Sequence, residues 1–155
     1  MNKSLVCYFS ITGTTQKVAE KIKEVLNCDL FEIKPIDEYT SEDLDWTNEN
    51  SRSSKEMKNN IKPSVRDKVN NIEDYEVVIL GFPVWWYKEP TIIDAFIDEN
   101  NLEGKKVYVF VTSAESSVDG SFESLKEKYS NINFVSGKRL TSTLSDDDVL
   151  NWIRR

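Results

Sequence analysis

Three unbroken apolar runs set the limits on what this chain can fold into. Leu5-Val6-Cys7-Tyr8-Phe9, Val77-Val78-Ile79-Leu80 and Val107-Tyr108-Val109-Phe110-Val111 are short and rich in β-branched and aromatic residues. None alternates apolar with polar, as a strand with one wet face does, so each reads as a strand covered on both faces. Asp29 to Ile33 and Ile132 to Val135 are shorter candidates. Amphipathic stretches lie between and after them. Thr15 to Leu26 places Val18, Ile22 and Val25 on one helical face. Pro90 to Glu99 opens on a proline, which suits a first helical turn, and offers Ile92, Ile93, Phe96 and Ile97 to a core. Ser121 to Tyr129 presents Phe122, Leu125 and Tyr129. Ser145-Asp146-Asp147-Asp148 resembles a capping box with Asp in place of Glu, opening a last helix.

Right-handed crossovers convert this order into a doubly wound α/β sandwich. A chain of 155 residues is expected to form one domain over 1–155. The least regular part runs from Pro35 to Tyr75. Residues 36–50 carry six acids and no base, and residues 52–68 carry six bases and two acids. A short polar helix is expected around Ser53 to Asn60, ending before Pro63.

Composition removes several chemistries. The chain has no histidine, which excludes Ser-His-Asp and Cys-His catalysis and takes away the commonest zinc ligand. Cys7 and Cys28 match neither a metal-site spacing nor a redox CxxC pair, so no metal ligands and no catalytic side chains are assigned. A net charge of −7 argues against a nucleic-acid partner. No apolar run reaches the roughly 18 residues that span a bilayer, and the apolar stretch near the start is short for a signal peptide, so the cytoplasm is expected. Hard chemistry in such a chain is expected to come from a bound cofactor.

Ligands of doubly wound sheets sit at the carboxyl ends of the strands, where the strand order reverses. The loop after the first run is Ser10-Ile11-Thr12-Gly13-Thr14-Thr15. Four hydroxyls and a glycine at a helix start can hold an anion through N–H groups and dipoles, without a lysine or arginine. The loop is neither a Walker A sequence nor a GxGxxG fingerprint. After the third strand comes Gly81-Phe82-Pro83-Val84-Trp85-Trp86-Tyr87. Three consecutive aromatics at a strand end are hard to bury together, and a planar ligand stacked on one of them accounts for the run.

Together these residues resemble the flavodoxin-like family, in its branch of short bacterial flavodoxins and flavodoxin-like NAD(P)H oxidoreductases. Tyr8 to Thr15 is similar to the family's phosphate loop, and Asp74 to Trp86 to the approach to its first isoalloxazine loop. Leu102-Glu103-Gly104-Lys105-Lys106-Val107 through Val111-Thr112-Ser113 is similar to the run into the second. The resemblance covers nearly the whole chain. It implies a flavodoxin-like three-layer sandwich with a five-stranded parallel sheet of order 2-1-3-4-5, and FMN as cofactor. Ser10, Ile11, Thr12, Gly13, Thr14 and Thr15 would surround the phosphate. Trp85 would stack on the isoalloxazine, with Pro83, Val84, Trp86 and Tyr87 beside it. Thr112, Ser113, Ala114 and Glu115 would border the ring from the second loop.

Two departures stand out. The second loop is usually glycine-rich, and here Ala114 and Glu115 replace glycines, while the tyrosine that some flavodoxins place over the second ring face is missing. That face is open to a substrate or covered by Tyr39, Trp46 or another chain. Trp86 stands where many flavodoxins have a glycine whose peptide turns toward N5 of the one-electron-reduced ring. A tryptophan resists positive φ by about 1–2 kcal/mol, so two-electron chemistry is favoured at this position. Against that, small size, acidity and the absence of an obvious nicotinamide-binding basic site favour, among the functions the resemblance implies, an FMN electron-transfer carrier with a redox partner protein. The alternative is an FMN-dependent oxidoreductase using NAD(P)H and a quinone-like acceptor. The expected state is a monomer or weak homodimer.

Overall fold

The computed structural model describes residues 3–113 and 116–153. Its strands are β1 (Ser4–Tyr8), β2 (Asp29–Glu32), β3 (Val77–Pro83), β4 (Lys106–Thr112) and β5 (Asn133–Arg139). Its helices are α1 (Thr14–Leu26), α2 (Arg52–Asn59), α3 (Thr91–Glu99), α4 (Asp119–Lys128) and α5 (Asp146–Trp152). All pairings are parallel, and the sheet order is β2-β1-β3-β4-β5, as the resemblance implied.

The apolar runs behave as doubly covered strands because neighbouring residues enter different cores. Leu5, Cys7, Val78, Leu80, Val107 and Val109 join α3 and α4 through Ile92, Ile93, Phe96 and Leu125 on one face. Val6, Tyr8, Ile79, Tyr108 and Phe110 join α1 and α5 through Val18, Ile22 and Val149 on the other. Cys7 is fully buried, and burial pushes its thiol well above the ordinary range, which makes it a packing residue. The box at Ser145 forms: its hydroxyl accepts from the Asp148 N–H, and the Asp148 carboxylate accepts from the Ser145 N–H.

Two strands outrun the sequence expectation. β3 continues past Leu80, with Gly81, Phe82 and Pro83 paired to Phe110, Val111 and Thr112. β5 begins one residue later than expected and continues through the polar Ser136-Gly137-Lys138-Arg139. As an edge strand with a register shift opposite Val107 and Tyr108, it draws its regularity from β4 rather than from its own pattern.

Candidate functional site

A cleft of about 950 Å³ opens at the carboxyl ends of β1, β3 and β4. Ile11, Thr12 and Thr15 line it from the first loop, Pro83 to Tyr87 from the second, and Thr112 and Ser116 from the third. Leu44 and Trp46 close it from the segment leading into α2, and Ser53 from the first turn of α2. None of these described lining residues carries a charge. Another depression, of about 920 Å³, lies beside Leu5 and Asp29 at the amino ends of β1 and β2. That is the wrong end of a doubly wound sheet for its ligand.

The first loop is organised by its own side chains. Ser10 Oγ accepts from the N–H of Gly13 at 3.2 Å and of Gln16 at 3.3 Å. Gly13 caps α1 at φ +95°, a conformation that side chains resist, and nothing stands where its Cβ would be. The buried Thr15 hydroxyl shares a 2.7 Å hydrogen bond with Thr112 at the end of β4, which ties the anion-binding loop to the third loop. First-turn N–H groups have no acceptor within a helix, so α1 offers donors to an anion at the cleft.

The second loop is a hairpin turn. Trp85 N–H donates to the Lys88 carbonyl at 2.9 Å, and Lys88 N–H to the Trp85 carbonyl at 3.0 Å. Its two central residues, Trp86 and Tyr87, stand at φ +48° and +66°. Turns of this kind usually contain Asn and Gly, because two side-chain-bearing residues of ordinary type cost about 1–2 kcal/mol each in this region. Trp86 thus stands in the left-handed region despite the resistance expected of a tryptophan there. Reciprocal hydrogen bonds and neighbouring packing hold it there.

Trp85 itself is fixed from below. Phe9 meets it edge-on at 5.8 Å and Tyr39 at 5.4 Å between ring centroids. The Tyr39 hydroxyl donates to Glu56, and the Arg52 guanidinium lies 4.0 Å over the Tyr39 ring. Arg52 also bonds the Glu56 carboxylate at 2.9 Å and the Asp37 carbonyl at 2.7 Å. Burial, and then the Glu56 contact, push the Tyr39 phenol far up, so it remains a donor. Tyr39 is thus a support for Trp85, while Trp46 lines the cleft.

Of the residues singled out in the sequence, Ile11, Thr12, Thr15, Pro83, Val84, Trp85, Trp86, Tyr87 and Thr112 meet at the cleft. Ser10 and Gly13 shape the loop, and Thr12 and Thr14 face each other through their hydroxyls at 3.5 Å. Ser113 turns elsewhere: its hydroxyl donates to the Ser116 carbonyl, and its own carbonyl accepts from Arg139 at 2.8 and 3.1 Å. Ala114 and Glu115 lie outside the described residues.

Sequence reasoning missed Leu44, Ser53, Ser116 and Arg139. Ser53 is the most informative. Its side chain is 2 % exposed, it borders the cleft, and its Oγ has no hydrogen-bond partner among the described residues. A buried hydroxyl left unpaired costs about 1–3 kcal/mol, a cost carried here at the wall of the cleft. A dipolar anion loop and a fixed indole around one uncharged cleft suit a flat ring with a terminal anion.

Comparison with known proteins gives the same picture. The flavodoxin family profile matches residues 3–155. A flavodoxin from Maridesulfovibrio salexigens is 28% identical over 163 residues, covering 98% of this chain and 94% of the relative. A crystal structure from Bacteroides eggerthii superposes with a TM-score of 0.94 at 42% identity, covering 98% of this chain and 96% of that one. The crystal structure of a flavoprotein in complex with FMN from Lactobacillus acidophilus gives a TM-score of 0.77 at 25% identity, with 98% of each chain covered.

Proposed function

This chain belongs to the flavodoxin family, its cofactor is FMN, and from that premise we propose that it is an electron-transfer carrier. The residues present fit the cofactor. Thr12, Gly13, Thr14 and Thr15 would hold the phosphate with hydroxyls and the N-terminus of α1. Trp85 would stack on the ring. Bound there, FMN supplies a ring that exchanges electrons one or two at a time. The chain supplies position, a low-charge environment and limited access for water.

The observation that carries the carrier reading is the turn at Trp86 and Tyr87. Both already stand at positive φ, so the backbone cost that pointed to two-electron chemistry is met in the folded state. The exposed indole and phenol rings of Trp86 and Tyr87 also give a partner protein an aromatic approach to the cleft. The test is an anaerobic reductive titration of the FMN-loaded protein followed by visible absorption. A long-lived band of one-electron-reduced flavin is the expected result. Direct bleaching from oxidised to fully reduced flavin would overturn the carrier reading in favour of an oxidoreductase using NAD(P)H and a quinone-like acceptor. One feature favours that second reading: a further pocket opens beside the cleft.

A further inference from the structure

That neighbouring pocket encloses about 440 Å³, and we propose that it binds a small flat aromatic anion, a ring system bearing a sulfonate, carboxylate or phosphate. The inference rests on FMN filling the adjoining cleft and goes beyond electron carriage.

Three segments build the pocket. α2 presents Ser54, Met57 and Lys58, which fall at i, i+3 and i+4 on one helical face. The strained turn presents Trp86 and Lys88, and the segment before α2 presents Trp46 and Glu49. Trp46 and Trp86 also line the larger cleft, so the two spaces adjoin at a pair of indoles. Those indoles are 74% and 41% exposed, large apolar surfaces left in water on the rim of one cavity. Indole faces and an adaptable thioether are suited to a flat ring.

Charge selects the class of ring. The chain carries −7 overall, yet this pocket holds two lysines against the single carboxylate of Glu49. Lys58 and Lys88 are exposed, and among the described residues neither ammonium has an ion-pair or hydrogen-bond partner. Most surface lysines reach out from a convex face. These two line one concave aromatic surface. The volume is that of a small-molecule site, and two lysines in an acidic protein are too few for a polyanion.

The test uses FMN-loaded protein titrated with naphthalene-2-sulfonate and with neutral naphthalene-2-methanol. The indole N–H resonances of Trp46, Trp85, Trp86 and Trp152 are followed by NMR. The sulfonate is expected to shift Trp46 and Trp86 and to bind more tightly than the alcohol. Lys58→Gln and Lys88→Gln should each weaken it about threefold, and the double variant about tenfold, with alcohol binding and FMN content unchanged. Raised salt should narrow the difference between the two probes. Equal affinity for both probes, an unaltered double variant, or a response confined to Trp152 would overturn the proposal. Loss of FMN from the double variant would overturn it too, by placing the lysines in the cofactor site. Native protein that takes up no FMN would defeat the cofactor reading before any naphthalene is added.

Discussion

Tyr39 stands edge-on to Trp85, with ring centroids 5.4 Å apart and planes at 86°. Through its bond to Glu56 and the Arg52 guanidinium on its face, this ring couples α2 to the aromatic floor of the cleft. An edge-to-face pair contributes about 0.5–1.5 kcal/mol beyond the area it buries. Tyr39→Ala is therefore expected to weaken FMN binding by up to about tenfold, as Trp85 loses one of its two edge contacts. Tyr39→Phe keeps the ring and should stay within about threefold, at a stability cost of about 1 kcal/mol for the lost Glu56 bond. Titration of apoprotein into FMN, read by flavin fluorescence, separates the two variants. Equal affinities for them would remove the supporting role.

Gly120 touches the same loop from the opposite side. A Cβ at this position would lie 2.1 Å from the Tyr87 carbonyl oxygen, and that oxygen belongs to a turn closed by reciprocal backbone bonds. A backbone atom so held yields far less readily than the end of a side chain. Gly120→Ala is expected to lower stability by about 1–3 kcal/mol and to weaken FMN binding through displacement of the turn. Urea unfolding and the FMN titration check both parts. Unchanged stability would mean that the first turn of α4 can slide away from Tyr87.

Tyr87 gives the opposite sign. It holds φ +66° while 76% exposed, so it contributes little burial in return for its strain. Tyr87→Gly removes about 1–2 kcal/mol of strain and adds roughly 0.5–1 kcal/mol of unfolded-state entropy. The variant is expected to be more stable by about 0.5–1 kcal/mol, seen as a higher urea midpoint with an unchanged slope. A lower midpoint would show that the ring packs more usefully than its exposure indicates.

These positions show where the sequence was readable. The apolar runs of β1, β3 and β4 announced buried parallel strands, because burial on both faces is recorded in each strand's own residues. The hydroxyl loop was equally legible, since Ser10, Gly13 and the start of α1 act within seven residues of one another. The turn was not. Neither Trp86 nor Tyr87 favours positive φ, and what holds them there includes Lys88 backbone bonds and a helix 33 residues further along at Gly120. Ser53 and Arg139 were silent for the same reason. One belongs to a polar helix whose docking no periodicity reveals, and the other ends an edge strand regularised by its neighbour.

A buried charge cluster just beyond the turn makes stability depend on pH. The Glu89 side chain is buried, and Lys128 reaches it at 3.0 Å and Asp94 at 3.1 Å. Glu89 Oε1 has no hydrogen-bond partner among the described residues. Burial, and then the facing Glu89 carboxylate, push Asp94 up to about 7, while Lys128 pulls it down less strongly. Folded protein therefore holds a proton on Asp94 across a range where the unfolded chain has already released it. Between the ordinary aspartate pKa of about 4 and about 7, the folded state binds more protons, so stability falls as pH rises. The contribution is fully present below the lower value and lost above the upper one. Asp94→Asn mimics the protonated carboxyl and should abolish this part of the dependence. Measured by urea unfolding from pH 5 to pH 8, native protein is expected to lose stability relative to the variant, most steeply between about pH 5 and pH 6 and levelling off above about pH 7. Parallel curves for the two proteins would show that Lys128 keeps Asp94 ionised throughout.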